Sequence, residues 1–245
     1  MRLEGNTILV TGGSSGIGLA LARAFQENGN TVVICGRNSQ KLDDVHRRFP
    51  EIETRQVDLS QPSQLASFAE ELCTSFPELN VLVNNAGIQR RIDFNDGRDH
   101  ARAIRQEIEI NLTSHISLTD LLLPKILGQP EGAVVNVTSA LAIAPKRSAP
   151  VYCVTKAAMR AFSRVLRYQL DGSNVKVFEI IPALVESAMT ANRGDKHMIT
   201  PEYVARAILA GMKINRDEIA IERARLLLFL HHLWPGLAYR ILRNE

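Results

Sequence analysis

The sequence TGGSSGIG at residues 11–18 decides the fold. It directly follows the β-branched run at residues 7–10 and leads into a segment with helical spacing at residues 17–26. In a parallel α/β sheet, the first strand-to-helix turn is rich in glycine because backbone must approach a phosphate held at the helix N-terminus. The stretch therefore predicts a nucleotide site, although a turn of this kind taken alone can be purely structural.

The alternation of strand-like and helix-like segments continues along the chain and predicts a right-handed, doubly wound topology. We expect an α/β protein of Rossmann type: one seven-stranded parallel sheet with helices on both faces, spanning residues 1–222, and an apolar helical extension at 223–245. The further predicted strands are 31–34, 54–57, 81–83, 133–137, 175–180 and 218–221, and the further predicted helices are 62–74, 101–123, 154–170 and 201–212.

Composition excludes several classes of function. The 245 residues carry a formal charge of only +3, and the basic residues form no tract with aromatics, so a nucleic-acid partner is not expected. The three cysteines, Cys35, Cys73 and Cys153, have no metal-ligand spacing, so we predict reduced thiols and no metal site. The polar N-terminus and the lack of a long apolar run favour the cytoplasm.

Tyr152 and Lys156 lie four residues apart and would share one face of a helix. An ammonium beside a phenol favours the phenolate, as a proton donor working near neutral pH requires. Ser139 follows a predicted strand and has a hydroxyl that can bond the same substrate oxygen. A solvated helix face and a simple capping serine are the alternatives.

Together these motifs resemble the short-chain dehydrogenase/reductase family in its form of about 250 residues. Residues 11–18, Asn84–Gly87 as NNAG, Asn111, Ser139 and the Tyr152-x-x-x-Lys156 pair match that family in order and spacing. The likeness covers roughly residues 5–221. Residues 85–90 and the apolar tail further resemble the branch of the family labelled DltE.

The resemblance implies an oxidoreductase that transfers hydride between a nicotinamide and a carbonyl or secondary alcohol. Tyr152 would be the acid/base, Ser139 would polarise the carbonyl, and Lys156 would also bond the nicotinamide ribose. Asn111 would hold a water that links Lys156 to solvent. A nucleotide-sensing or scaffolding protein without turnover is the alternative function.

The resemblance also implies a cofactor site. Asp58 would bond the adenine amine, with a helix N-cap as its alternative role. The family pattern changes after Pro182, where Ala183 replaces a glycine, and Ser187 replaces the usual threonine. The predicted cofactor residues are Gly12, Ser14, Ser15, Gly16, Ile17, Gly18, Arg37, Asn38, Asp58, Leu59, Asn85, Ala86, Gly87, Tyr152, Lys156, Pro182, Val185 and Ser187.

The second strand predicts NADP as the cofactor, with NAD possible. A protein that prefers NAD needs an acidic side chain at the end of this strand, where this sequence has Gly36 and Arg37. A guanidinium can bond the 2′-phosphate of NADP and stack on adenine. Ser14, Ser15 and Asn38 would be auxiliary donors, and the alternative places Arg37 in the cap of the next helix.

The sequence says less about the identity of the substrate and about the role of the C-terminal tail. Ser139, Leu141, Ile143, Leu184 and the loop at residues 187–200 are predicted to line a pocket for a small carbonyl or alcohol. The apolar segment 223–243 either packs on the core or a sister subunit, which is favoured, or forms a membrane-surface anchor or a lid. We expect a homodimer or homotetramer.

Overall fold

The computed structural model describes residues 1–186, 190 and 198–243. Seven strands of this part form one sheet in the order β3-β2-β1-β4-β5-β6-β7, and every neighbouring pair is parallel. The chain reverses direction across the sheet between β1 and β4, where such sheets bind ligands. The strands are β1 Thr7–Thr11, β2 Thr31–Gly36, β3 Ile52–Gln56, β4 Leu79–Asn84, β5 Gly132–Val137, β6 Val175–Ile181 and β7 Glu218–Ala220.

Helices cover both faces of the sheet, as predicted. Side chains of α1, α2 and α7 form one core with one face, and those of α3, α5 and α6 form another with the opposite face. The central strands are buried on both sides, which explains their continuous β-branched sequence. The helices are α1 Gly16–Glu27, α2 Ser39–Arg48, α3 Pro62–Ser75, α4 Ala101–Ile108, α5 Ser114–Leu127, α6 Pro150–Gln169, α7 Pro201–Lys213, α8 Arg223–Leu233 and α9 Pro235–Leu242.

The helix predicted at residues 101–123 differs from the structure. A π-helical turn, Glu109–Thr113, separates α4 from α5. Such a turn inserts one residue into the helix and leaves the average spacing of apolar residues nearly unchanged, so periodicity does not detect it. The turn contains Asn111, one of the predicted catalytic residues.

The last two helices form a hairpin that packs on a third, smaller core. Ala224, Leu227 and Ala238 are buried there against Ile143 and Ile181. Among the described residues, no helix is both long and apolar enough to cross a bilayer.

Candidate active site

The glycine turn after β1 closes tightly on the segment that follows β4. Gly12 has a φ of +65°, and a Cβ there would lie 2.8 Å from the Cα of Ala86. A Cβ at Gly18 would overlap the Gly12 carbonyl and approach the Asn85 amide to 2.5 Å. A larger side chain at either glycine would therefore push apart the turn, α1 and the loop after β4.

The N-terminus of α1 is not capped by a side chain. Ser15 occupies the N-cap position in an extended conformation and makes no capping hydrogen bond. The first-turn N–H groups, beginning at Gly16, thus have no side-chain capping partner within the described residues, and they lie at the positive end of the helix dipole. The turn fits a pyrophosphate held by backbone donors.

Thr11 joins the glycine turn to the β4 loop, a role that the sequence analysis missed. Its hydroxyl accepts hydrogen bonds from the backbone N–H groups of Asn85, at 2.9 Å, and Ala86, at 3.0 Å, and donates to the Val83 carbonyl. The Asn85 side chain donates to the Thr11 carbonyl at 2.9 Å. Asn85 therefore braces the turn with its own amide group.

The end of β2 presents Arg37 to solvent beside the glycine turn. Within the described residues Arg37 makes no ion pair, and the Gln56 side chain donates to its carbonyl. Asn38 is the N-cap of α2, since its Oδ1 accepts from the Lys41 N–H at 3.0 Å. A Cβ at Gly36 would have only ordinary contacts, the nearest being the Ser14 Oγ at 3.7 Å.

Asp58 does not cap α3, so that alternative is wrong. Gln61 is the N-cap residue, and Asp58 instead accepts hydrogen bonds from the N–H and the hydroxyl of Ser60. Asp58 is half-buried in this turn after β3, and its contact with adenine stays a prediction. Leu59, the next residue, is buried in the core.

Ser139 lies two residues beyond β5 and begins a short 3₁₀ turn, Ala140–Ala142. Its Oγ accepts a hydrogen bond from the Leu141 N–H at 3.1 Å. The predicted capping role is thus real, and it is compatible with the catalytic one. A hydroxyl that accepts one bond still has its proton to donate to a substrate oxygen.

Lys156 is buried on α6 and points to the end of β5. Its Nζ donates to the Val137 carbonyl at 2.7 Å and lies 5.7 Å from the ring centroid of the half-buried Tyr152. Burial lowers the pKa of Lys156 to about 8. An ammonium with a lowered pKa is well suited to exchange protons with its surroundings near neutrality.

Asn111 is held by the loop after β4. Its side chain accepts from the Ile88 N–H and donates to the Ile88 carbonyl, both at 2.8 Å, and also donates to the Thr155 hydroxyl at 3.3 Å. A Cβ at Gly87 would lie 3.4 Å from the Asn111 Oδ1 and 3.8 Å from the Lys156 Nζ. Four elements therefore meet around Asn111 and Lys156: the carboxyl end of β4, the carboxyl end of β5, the π turn and α6.

Two buried polar side chains near this place were not predicted. Glu107 accepts from the Arg90 N–H through Oε1, and its Oε2 has no partner within the described residues. Burial raises the pKa of Glu107. Glu107 and the second residue, His115, occupy core positions of their helices. A polar residue in an otherwise apolar stripe is the signal that could have identified each of them.

The second of these side chains is His115 at the start of α5. Neither ring nitrogen makes a well-formed hydrogen bond in the described part of the chain. The Asn111 backbone interacts with the ring and acts to raise the pKa of His115, but this is the weakest of the three influences on it. Burial, and then the Lys156 charge, lower the pKa of His115 to about 3. His115 is therefore neutral at physiological pH.

A buried ion pair supports the segment before Ser139. Arg160 on α6 bonds Glu179 on β6 at 2.9 Å and Glu218 at 3.0 Å. The Thr138 hydroxyl donates to the same Glu179 carboxylate at 2.9 Å. Burial raises the pKa of Glu179, while the Arg160 guanidinium opposes this. The network ties the catalytic helix to the strand end that presents Ser139.

A family model described as short chain dehydrogenase matches residues 6–198. The chain belongs to the short-chain dehydrogenase family. The predicted family, the Rossmann-type fold and the general class of oxidoreductase are confirmed.

Similar proteins and solved structures support the same family assignment. The chain is 42% identical to the uncharacterized oxidoreductase DltE of Bacillus subtilis, over 91% of this chain and 90% of that protein. It is 32% identical to the mouse dehydrogenase/reductase SDR family member 7B, over 99% of this chain and 82% of that protein. A short-chain dehydrogenase from Sphingobium yanoikuyae, solved with NADPH, superposes with a TM-score of 0.82 at 26% identity, covering 95% of this chain and 94% of that one.

The predicted substrate residues do not all meet in one place. Leu141 and Leu184 are half-buried near the Ser139 turn, whereas Ile143 is buried in the third core beneath α8 and α9. The carbonyl of Pro182 accepts from the Ala140 N–H at 3.1 Å, and Val185 is buried and bridges to Ile199. Ser187, residues 188 and 189, and residues 191–197 of the predicted loop lie outside the described residues.

Proposed function

We propose that this protein is an NADP(H)-dependent carbonyl reductase or alcohol dehydrogenase. The observation that supports the proposal is the convergence of Ser139, Lys156, Asn111 and the helix turn of Tyr152 beside the uncapped, glycine-lined N-terminus of α1. A hydroxyl donor, a buried ammonium and a phenol thus lie next to the turn at which a dinucleotide would bind.

When bound, NADPH supplies the hydride. In the direction of reduction, Tyr152 donates its proton to the substrate oxygen that receives the negative charge, and the Ser139 hydroxyl donates a hydrogen bond to the same oxygen. Lys156 stabilises the phenolate that remains and bonds the ribose, and a proton returns from solvent past Asn111. The Arg37 guanidinium would hold the 2′-phosphate.

The function is tested by following NADPH oxidation at 340 nm with a panel of ketones, aldehydes and 3-oxoacyl thioesters. We expect at least one class of carbonyl to be reduced, and we expect NADPH to be preferred over NADH. Tight binding of NADPH with no oxidation across the panel would instead favour a nucleotide-sensing protein.

A further inference from the structure

The hairpin of α8 and α9, residues 223–243, has an apolar outer face. On α8, Leu226, Phe229 and Leu233 follow each other at helical spacing on the side opposite the buried Ala224 and Leu227. The face continues across the junction onto α9. Its exposed members, each between 45% and 60% accessible, are Leu226, Phe229, Leu233, Trp234, Leu237 and Ile241.

The same hairpin is strongly basic. Residues 223–243 contain four arginines, Arg223, Arg225, Arg240 and Arg243, and no Asp or Glu. These charges exceed the formal net charge of the whole chain, which is +3. Within the described residues, none of the four forms an ion pair, whereas other arginines on the sheet side of α6 do.

The apolar face and the basic rim together indicate which partner fits the hairpin. A second copy docked through a two-fold axis would place this patch against itself, so that the arginines of one copy would face those of the other, and Glu222, just before α8, is the described carboxylate nearest to them in sequence. An anionic bilayer offers the opposite charge to the rim and a non-polar interior to Phe229 and Trp234. Aromatic side chains, tryptophan above all, favour the boundary between headgroups and acyl chains.

From these observations we propose that the α8–α9 hairpin docks the protein onto the surface of anionic membranes. The hairpin lies in the interface and does not span the bilayer. His231 and Tyr239 contact each other across it, with 3.1 Å between Nε2 and Oη, which helps to hold the two helices as one unit. Since the hairpin packs on the residues from Ala140 to Ile143, docking would hold the turn that begins at Ser139 close to the bilayer.

Co-sedimentation with vesicles tests this proposal independently of any enzymatic activity. The full chain is mixed with vesicles of phosphatidylcholine containing 30% phosphatidylglycerol, and with vesicles of phosphatidylcholine alone. We expect binding to the anionic vesicles that is weakened in high salt and at least about tenfold weaker on the neutral ones, because each arginine near an anionic surface contributes about fivefold.

Two variants identify the surface responsible. Phe229→Ser with Trp234→Ser removes apolar contact, and Arg223→Gln with Arg240→Gln removes two charges; each should weaken binding at least about tenfold. The matched controls are Phe94→Ser, at an equally exposed aromatic (67%), and Lys213→Gln with Arg216→Gln, at the opposite end of β7. All four replace exposed residues, so melting temperature and NADPH binding should stay unchanged.

The proposal is overturned if the full chain does not sediment with anionic vesicles, or if the control variants lose as much binding as the hairpin variants. It is also overturned if Phe229→Ser with Trp234→Ser lowers the molar mass seen by light scattering, because the hairpin would then be an interface between copies of this chain.

Discussion

At the scale of single residues, we propose that Gly36 and Arg37 determine the choice between NADPH and NADH. We predict that NADPH binds at least about tenfold more tightly, which corresponds to about 1.4 kcal/mol. Gly36→Asp with Arg37→Leu should reverse the order, because a carboxylate repels the 2′-phosphate and accepts hydrogen bonds from free ribose hydroxyls. The structure has room for this change, since a Cβ at Gly36 meets no atom closer than 3.7 Å.

Fluorescence titration of both cofactors measures this preference. Arg47→Leu, a similar change at an exposed position of α2, serves as the control and should leave both affinities unaltered. Equal affinities for NADPH and NADH in the unmodified protein would show that Arg37 does not contact the phosphate.

His115 should make the protein less stable in acid. Its pKa is about 3 in the folded chain and 6.5 when unperturbed, so the unfolded chain binds the extra proton first as the pH falls. The free energy of unfolding should therefore decrease from about pH 6.5 toward pH 3, by up to about 1.4 kcal/mol per pH unit from this residue. Above pH 6.5 the contribution is constant.

Urea unfolding at a series of pH values distinguishes the contribution of His115 to the pH dependence of stability from that of the carboxylates. His115→Leu should show a shallower decline between pH 6 and pH 4 and no loss of stability at pH 7, because it also removes two buried nitrogens that make no well-formed hydrogen bond in the described part of the chain. His46→Leu, at an exposed position of α2, is the control. If the free energy of unfolding changed with pH in the same way for the wild type and His115→Leu, the claim that His115 is buried and neutral would be excluded.

At the scale of elements, the Arg160 network holds α6 against β6. Arg160→Ala would leave the carboxylate of Glu179, only 2% exposed, without its cation, and we predict a loss of about 3 kcal/mol in the free energy of unfolding. Because Thr138 shares this carboxylate, the change should also lower turnover through the position of Ser139.

Arg164→Ala provides the comparison in the same helix. Its side chain is 53% exposed and, among the described residues, forms an ion pair with Glu218 alone, so its removal should cost less than about 1 kcal/mol. Similar losses for the two variants, measured by denaturant unfolding, would contradict the buried role of Arg160.

Most elements could be predicted from the sequence because their patterns are local. The β-branched runs and the glycine turn define β1 and α1 almost to the residue, and the spacing of Tyr152 and Lys156 places both on α6. The π turn could not be predicted, because one inserted residue hardly changes the spacing of apolar residues, and the hydrogen bonds of Asn111 go to Ile88, which is distant in sequence. The ion pair between Arg160 and Glu179 could not be predicted either, because it forms only when α6 packs against β6.

At the scale of the whole molecule, α5 and α6 carry five exposed large apolar side chains, a feature typical of surfaces that pair copies of a chain. We predict a homodimer or homotetramer that pairs through these helices, and light scattering at micromolar concentration should give a multiple of the monomer mass. The exposed residues involved are Leu121, Leu127, Val154, Val165 and Tyr168. Val165→Glu with Tyr168→Glu should lower that mass and Phe94→Glu should not, whereas a monomeric wild type would refute the pairing.

Proton donation by Tyr152 is tested most directly by the turnover of Tyr152→Phe, measured as NADPH oxidation with whichever carbonyl the panel identifies. Removing the phenolic hydroxyl should lower kcat by at least about a hundredfold, since general acid catalysis contributes this much, while the melting temperature and NADPH affinity stay close to wild type. Tyr168→Phe, on the exposed side of the same helix, should retain full activity. Turnover of Tyr152→Phe close to that of the wild type would contradict the assignment of this tyrosine as the catalytic acid.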